Sequence, residues 1–300
     1  ADRDCLSLYK QIWNWVGSPG NTLNSFADLA LGPQRLDEMA VPQDERNVVM
    51  GPADSWGMIG SLTGLTLSDQ SGSPQAEAYR MARLGRVANL ETYMDQNVQR
   101  HTVGAHAGTP LTDGAQTTTY ANMLTSYQMS LVTDGWDASI ALKEGDVFTI
   151  DTVFAVNPVS KDTLDFLQQF VIRADVTTNA TTTADTTLTI SPPIITTGPY
   201  QTVSVGVPDG ATITYKGTLS TAYPQNMVFH KNAFALVTVP LEMPDSVGWK
   251  ARQTDQEAGL SVRLVKDYDI DNDVEIIRAD ILYGVEAIYP ELASRISGTA

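Results

Sequence analysis

A threonine-rich segment in the second half of the chain constrains its fold more than any other feature. Ten of the twenty-two residues from 176 to 197 are threonine, and aliphatic residues are interleaved with them. Because threonine is branched at Cβ, its first side-chain torsion is stiff, and runs of it favour extended backbone. A flexible linker would not need the interleaved aliphatic residues. The segment therefore predicts β-strands.

The surrounding region, residues 98–215, has the same β character. Residues 142–150 predict a turn followed by an alternating strand, and residues 166–176 and 186–190 predict further strands. Several short strands with frequent turn signals are typical of a small β-barrel or sandwich. We expect this region to be a domain inserted into a chain of mixed structure.

Helices are predicted before this region. Leu6, Tyr9, Trp13 and Val16 recur at helical spacing and predict an amphipathic helix, which the glycine and proline residues of 17–20 end. Three further elements are predicted: a helix over 21–39 with Phe26, Leu29 and Leu36 as apolar positions, a strand over 47–51, and a helix over 76–90.

Apolar and alternating runs return after residue 220. They predict strands over 227–229, 233–239, 260–265, 274–281 and 285–289. The last quarter of the chain therefore predicts a long, twisted antiparallel pair or triple of strands. Helices and strands of a mixed region are thus predicted on both sides of the β domain.

The charge distribution argues against direct recognition of nucleic acid. The formal net charge is −16, and lysines and arginines are scattered singly. Binding to DNA or RNA needs a concentrated positive face. Arg80, Arg83 and Arg86 lie on nearly one face of the predicted 76–90 helix and could cradle a phosphate, but a solvated helix face is the favoured interpretation. No apolar run approaches the roughly 18 residues of a membrane helix, so no membrane partner is expected.

We expect no catalytic residues, no bound cofactor and no metal site. His101 and His106 lie five residues apart without a carboxylate at ligand spacing, and His230 is remote. The alternating acids of 267–275 lack the glycine and the glutamate that a helix–loop–helix calcium site needs at its sixth and twelfth positions, so they predict a hairpin turn. Cys5 is the single cysteine, which excludes an internal disulfide and fits a reducing compartment.

Several segments together resemble the coat proteins of tailed bacteriophages. They follow one another in the order of the podovirus-type group, whose shell fold carries an inserted β domain. The matching segments are Leu8-Tyr9-Lys10 with residues 16–20, Glu77-Ala78-Tyr79-Arg80, Gly145-Asp146, residues 224–236, residues 259–263, residues 267–273 and residues 278–285.

This resemblance implies an α+β protein with the tailed-phage major capsid fold (HK97-like) and an inserted β-barrel domain. It assigns residues 1–17 to the end of a spine helix in the peripheral domain, 18–97 to the axial domain, and 98–215 to the barrel. Residues 216–245 return to the axial domain, and 246–300 form peripheral strands and the C-terminus. The family's N-terminal arm, extended loop and most of its spine helix have no counterpart here. We therefore expect that upstream sequence is missing and that these 300 residues alone stay monomeric or form small rings.

The function implied is that of a non-catalytic coat protein that self-assembles into hexamers and pentamers of an icosahedral shell. Its implied partners are further copies of itself, a scaffolding protein, a portal and the enclosed double-stranded DNA. Its implied location is the virion, after assembly in the host cytoplasm. Two alternatives stay open from the sequence: a carbohydrate-binding or receptor-binding β-rich surface protein, and an encapsulin-like compartment shell.

Overall fold

The computed structural model describes residues 2–62, 84–120, 126–181, 184–255 and 259–299. Its α-helices are α1 (Asp2–Ser7), α2 (Phe26–Glu38) and α3 (Pro52–Leu62), and short 3-10 turns cover Leu8–Gln11, Lys231–Ala233 and Pro290–Leu292. The first strands are β1 (Trp15–Val16), β2 (Arg46–Met50), β3 (Arg86–Val87), β4 (Leu90–Met94) and β5 (Arg100–Thr102).

The remaining strands fall into a middle and a C-terminal group. The middle strands are β6 (Gly108–Thr112), β7 (Met129–Trp136), β8 (Ala141–Leu142), β9 (Val147–Val156), β10 (Thr163–Ile172), β11 (Val176–Thr177), β12 (Thr186–Ser191) and β13 (Ile213–Tyr215). The C-terminal strands are β14 (Ala222–Pro224), β15 (Asn226–His230), β16 (Phe234–Thr238), β17 (Trp249–Thr254), β18 (Ser261–Asp269), β19 (Val274–Ile281), β20 (Tyr283–Ala287) and β21 (Ala293–Ile296).

Six middle strands form a nearly closed barrel. Their order is β13-β9-β10-β12-β7-β6, and every pairing is antiparallel. The two ends of this sheet meet through a bridge between Leu111 and Thr212, which precedes β13. Closure removes the free edges of a sheet. Inside lies an apolar core that includes Leu131, Phe148 and Phe170, all fully buried.

A second, mixed sheet joins the two ends of the chain. Its order is β1-β21-β15-β2-β4-β3, with β1 parallel to β21 and β2 parallel to β4. Helix α2 packs on this sheet, and Gly32 permits the close approach, because a Cβ there would lie 2.8 Å from Cγ2 of Val228. Ser25 caps the helix by accepting a hydrogen bond from the Asp28 amide.

Five of the C-terminal strands form two further antiparallel sheets, β17-β18-β19 and β16-β20. The predicted antiparallel pair in the last quarter of the chain is confirmed as β18-β19. The third strand of that sheet is β17, which was not predicted, and the strand predicted over 285–289 corresponds to β20, which pairs with β16. The predicted strands over 47–51, 186–190, 227–229 and 274–281 correspond to β2, β12, β15 and β19. The helix predicted over 21–39 is present as the shorter α2, and its Phe26 is exposed while Leu29 and Leu36 are buried.

The predicted first helix is wrong beyond residue 11. The helical stripe of Leu6 and Tyr9 continues only into a 3-10 turn, and Trp15 and Val16 form a strand instead. The backbone N–H and C=O of Trp15 both bond to the side chain of Gln169 on the barrel, at 2.6 and 3.0 Å. These tertiary partners, with the parallel pairing to β21, replace the next helical turn.

The helix predicted over 76–90 is wrong at its C-terminal end. Arg86 begins a hairpin rather than a helix turn, because Ala88 and Asn89 adopt left-handed backbone conformations that connect β3 to β4. The Arg86 guanidinium donates to Asn89 Oδ1 at 2.6 Å. Arg80 and Arg83 lie outside the described residues. None of the described helices is both long and apolar enough to cross a membrane.

Candidate functional site

The sheet β17-β18-β19, with the hairpin that joins its last two strands, exposes apolar side chains on both faces. Ile276 and Ile277 are neighbours on β19, so their side chains point to opposite faces, yet they are 52% and 67% exposed. The other large exposed apolar residues of this region are Trp249, Tyr268, Ile270, Val274, Ile281 and Leu282. Large exposed apolar surfaces mark interaction sites. We call this region the exposed sheet.

Ion pairs between neighbouring strands fix the register of the exposed sheet. Arg263 on β18 lies opposite Asp280 on β19, and its Nη2 is 2.6 Å from Asp280 Oδ2. Lys266 Nζ lies 2.7 Å from Glu275 Oε2. Hydrogen bonds from Arg263 and then from Arg278 lower the pKa of Asp280. The sheet thus pairs five of its charged groups internally, namely Arg263, Lys266, Glu275, Arg278 and Asp280, while its large apolar residues stay exposed to solvent.

The acidic run at the tip of the exposed sheet is a hairpin connection, as predicted. Asp269 Oδ1 accepts from the Asp271 amide at 3.0 Å, and its Oδ2 accepts from Asn272 Nδ2 at 2.7 Å. These bonds, led by the one from Asn272, lower the pKa of Asp269. The hydroxyl of Tyr268 donates to Asp273. The carboxylates of Asp269 and Asp273 therefore stabilise the turn by accepting hydrogen bonds within it. That this run binds no calcium stays a prediction.

A buried polar junction connects the barrel to the strand β5. Asp146, which precedes β9, is fully buried, and its Oδ1 lies 2.8 Å from His101 Nε2. The same carboxylate accepts from the Gly104 amide at 3.1 and 3.0 Å and from the Lys143 amide at 2.9 Å. Glycine is required at position 104, because a Cβ there would lie 2.6 Å from the carboxylate. On the other side of the ring, Tyr9 Oη lies 3.2 Å from His101 Nδ1.

Arg295 on β21 is the buried cation of this junction. It is fully buried, and its Nη1 donates to the Gly145 carbonyl at 2.8 Å and its Nη2 to the Ile12 carbonyl at 2.8 Å. Its guanidinium also lies 5.2 Å from the ring centroid of Tyr9. Burial lowers the pKa of Arg295 to about 9, with Tyr9 and Asp146 opposing that shift, so the group is charged at neutral pH. The barrel, the N-terminal segment and the C-terminal strand thus share one cation.

Of the other two histidines, His106 lies beside this junction, with its Nδ1 3.1 Å from the Gly104 carbonyl oxygen, and His230 lies in a separate group. The ring of His106 stacks on Tyr215, with centroids 4.4 Å apart. His230 lies with Asp44 and Glu45, and their ligand atoms fall within 4.8 Å of one another, a spacing that could hold a metal ion. Glu45, however, already pairs with Lys231. The expectations of no catalytic, cofactor or metal site remain predictions.

Sequence reasoning found only part of these sites. The β-character of the exposed sheet followed from alternation, but the junction did not, because His101 and Asp146 are 45 residues apart. The group around His230 was missed for the same reason, since Asp44 and Glu45 reach it from a distant loop. In the sequence, the one signal for the junction was a charged residue, Arg295, within an otherwise uncharged stretch near the C-terminus.

Comparisons with known proteins identify a matching family and a similar solved structure. The family profile described as "P22 coat protein - gene protein 5" matches residues 12–297. Among solved structures, the chain is similar to one described as "CUS-3 coat protein I-domain", at 23% sequence identity and a TM-score of 0.26. That match covers 36% of this chain and 94% of the other. The search of curated proteins gave no match.

Proposed function

This chain belongs to the P22 coat protein family, a podovirus-type group of phage coat proteins, and we propose that it self-assembles into hexamers and pentamers of an icosahedral phage shell. One observation carries the assembly step. The exposed sheet leaves large apolar residues in solvent on both faces, and a neighbouring subunit would remove them from water. A stable contact of this kind buries roughly 1,200–2,000 Å² in total.

The proposed architecture is the HK97-like shell fold with an inserted barrel. In this proposal residues 1–17 hold the end of the spine helix, of which α1 is the helical part, and residues 18–97 form the axial domain. Residues 98–215 form the inserted barrel, 216–245 return to the axial domain, and 246–300 supply the peripheral strands. The antiparallel order of β6–β13 and the separate C-terminal sheets support this division.

The remaining partners are proposed from the family and from charge. A scaffolding protein and a portal would direct assembly in the host cytoplasm, and the mature location would be the virion. The net charge of −16 supports a wall that encloses double-stranded DNA without adhering to it, because like charges repel. We propose a structural role without catalysis, in keeping with the coat family.

Expression of the protein from its complete gene, together with a scaffolding partner, tests this proposal. The variant Ile276→Asp with Ile277→Asp places charges on both faces of the exposed sheet. Val159→Asp is the matched control, because Val159 is 78% exposed in the turn between β9 and β10. Sedimentation and negative-stain microscopy should show closed particles for the wild type and the control. The double variant should remain monomeric or form small rings, with unchanged thermal unfolding.

Two results would count against the proposal in different ways. A wild-type protein that stays monomeric under every assembly condition would remove the coat function itself. A double variant that assembles as well as the wild type would leave the coat function standing, and would show that the exposed sheet is not an assembly contact.

A further inference from the structure

A cavity of about 610 Å³ lies where three distant parts of the chain meet. The segment after α1 contributes Trp13, the barrel side contributes Tyr127 and Arg173, and the C-terminal segment contributes Glu286, Tyr289 and Glu291. A volume of this size lies within the range of sites for small molecules, and aromatic walls with a few polar groups are typical of such sites.

One wall of the cavity is aromatic and carries an unused donor. Trp13 is 1% exposed, and its ring stacks on Tyr127 with centroids 5.5 Å apart and an interplanar angle of 23°. Its indole Nε1–H is buried and has no acceptor among the described residues. A buried donor without a partner costs free energy unless a bound molecule accepts its hydrogen bond.

The carboxylate of Glu291 is the uncompensated charge of the cavity. Burial raises its pKa, and nothing among the described residues offsets that shift. It lies close enough to Tyr127 to add to the rise that burial causes in the pKa of that phenol. No cation of the described chain lies within 4.0 Å of it. Removing a carboxylate from water without a counter-ion costs free energy, and a nearby positive charge would offset that cost.

The other charged groups of the cavity do not supply that positive charge. Burial lowers the pKa of Arg173, and the carboxylates of Glu144 and Glu286 oppose the shift, so Arg173 faces those two groups. Lys161 also lines the cavity but forms no ion pair with Glu291. The negative end of the cavity, at Glu291 and Tyr127, therefore has no cation of its own.

We propose that this cavity binds a small organic cation, an ammonium or guanidinium group, with Glu291 as its counter-ion and Trp13 and Tyr127 as its aromatic wall. A cation over an aromatic face is attracted by the ring, and the attraction is stronger in a desolvated site. A ligand that also carries a hydrogen-bond acceptor would satisfy the Trp13 indole. Every group that forms the site belongs to one chain, so binding can be measured on the unassembled protein.

Titration calorimetry with butylguanidinium tests the site, and butylurea is the neutral control of the same shape. We expect butylguanidinium to bind the wild-type chain at least about tenfold more tightly than butylurea. Glu291→Gln should weaken butylguanidinium binding by about tenfold or more. Glu275→Gln, which removes the same charge from the exposed sheet, should leave it unchanged.

Thermal unfolding guards against a variant that is merely misfolded. Without ligand, Glu291→Gln should unfold at the same temperature as the wild type or higher, because it removes a half-buried charge that has no ion-pair partner among the described residues. Equal binding of butylguanidinium by wild type and Glu291→Gln would overturn the proposal, as would no binding up to about 10 mM, where even weak specific sites are detected.

The same titration on assembled particles separates two sources of the cation. Release of butylguanidinium on assembly would assign the site to a lysine or arginine side chain of a neighbouring copy. Retention would assign it to a free cation. Both results support a cation site, and they differ only in what fills it.

Discussion

Nε2 of His101 and Oδ1 of Asp146 lie 2.8 Å apart in the interior of the protein, where neither side chain is more than 4% exposed. This contact joins β5, which pairs with β14, to the start of the barrel strand β9. A polar contact that excludes water therefore joins the barrel to β5, and β5 in turn pairs with β14 outside residues 98–215. Such contacts are costly to break from one side.

Asp146→Asn should destabilise the protein by about 3–5 kcal/mol, as expected when one partner of a buried pair is removed. The asparagine keeps the shape but directs an N–H₂ group at donors such as the Gly104 amide. Asp165→Asn, on the exposed part of β10, is the matched control and should change stability little. Urea unfolding of both variants measures the difference, and equal midpoints would contradict the role given to Asp146.

Trp13→Ala should destabilise the protein by about 3–5 kcal/mol, because it empties a fully buried site. Trp13 packs with Val103, Val147 and Val171 beside the barrel, so the loss should appear as weaker docking of the N-terminal segment on the barrel. Trp249→Ala, at a 50% exposed position, should cost far less. Denaturant unfolding, monitored by near-UV circular dichroism, distinguishes the two variants.

Lys216→Met should stabilise the protein at neutral pH by about 1–3 kcal/mol, because it removes a charge that is costly to bury. Burial, and then repulsion from Arg35, lowers the pKa of Lys216 to about 8 from its ordinary value of 10.5. Between these two pH values the unfolded chain holds the proton that the folded chain has released, so wild-type stability from this group rises with pH. The advantage of Lys216→Met should shrink over that interval.

Unfolding midpoints at pH 7, 8, 9 and 10 check this prediction, with Lys250→Met as the control. Lys250 pairs with Asp245 at the surface, so its replacement should change stability little. A constant difference between Lys216→Met and the wild type would show that Lys216 does not titrate near pH 8.

Residues 98–215, expressed alone, should fold. The core of the barrel, from Leu131 to Ile213, lies wholly within this range, and the Leu111–Thr212 bridge brings its edge strands together. Its amide spectrum should be well dispersed. Val147 and Val171 would lose their packing against Trp13 and Trp15, so the isolated barrel should be less stable than the same barrel in the whole chain. A collapsed spectrum would show that the domain boundary is wrong.

The acidic hairpin of residues 267–273 should bind no calcium at micromolar concentration. Asp269 already accepts two hydrogen bonds within the turn, and Asp273 accepts one from Tyr268. Calorimetric titration with calcium should give no heat above dilution. Micromolar binding that Asp269→Ala abolishes would contradict the assignment of these carboxylates to turn geometry.

The parts of the fold that the sequence predicted are those governed by local pattern. Strand alternation is a period of two residues and can be read directly, which is why β18 and β19 were found. The end of the first helix could not be read in this way. The groups that hold Trp15 extended are Gln169 and β21, which lie 154 and 280 residues further along the chain.

Local sequence pattern predicted even less of the candidate sites than of the fold. The exposed sheet could be located, but its exposure on both faces could not, because alternation predicts one buried face. The cavity beside Glu291 draws its walls from three remote segments, and no spacing in the sequence connects Trp13 to Glu291. Packing of distant segments, rather than any motif, creates both sites.

The parallel pairing of β1 with β21 makes the order of synthesis matter. Strand β21 lies between β1 and β15 in the mixed sheet, yet it leaves the ribosome long after β1 does. Contacts of such long sequence separation form late and slowly. The barrel, in contrast, is built from one continuous stretch and can fold during translation. A nascent chain therefore carries a finished barrel beside an open sheet until the residues of β21 have emerged.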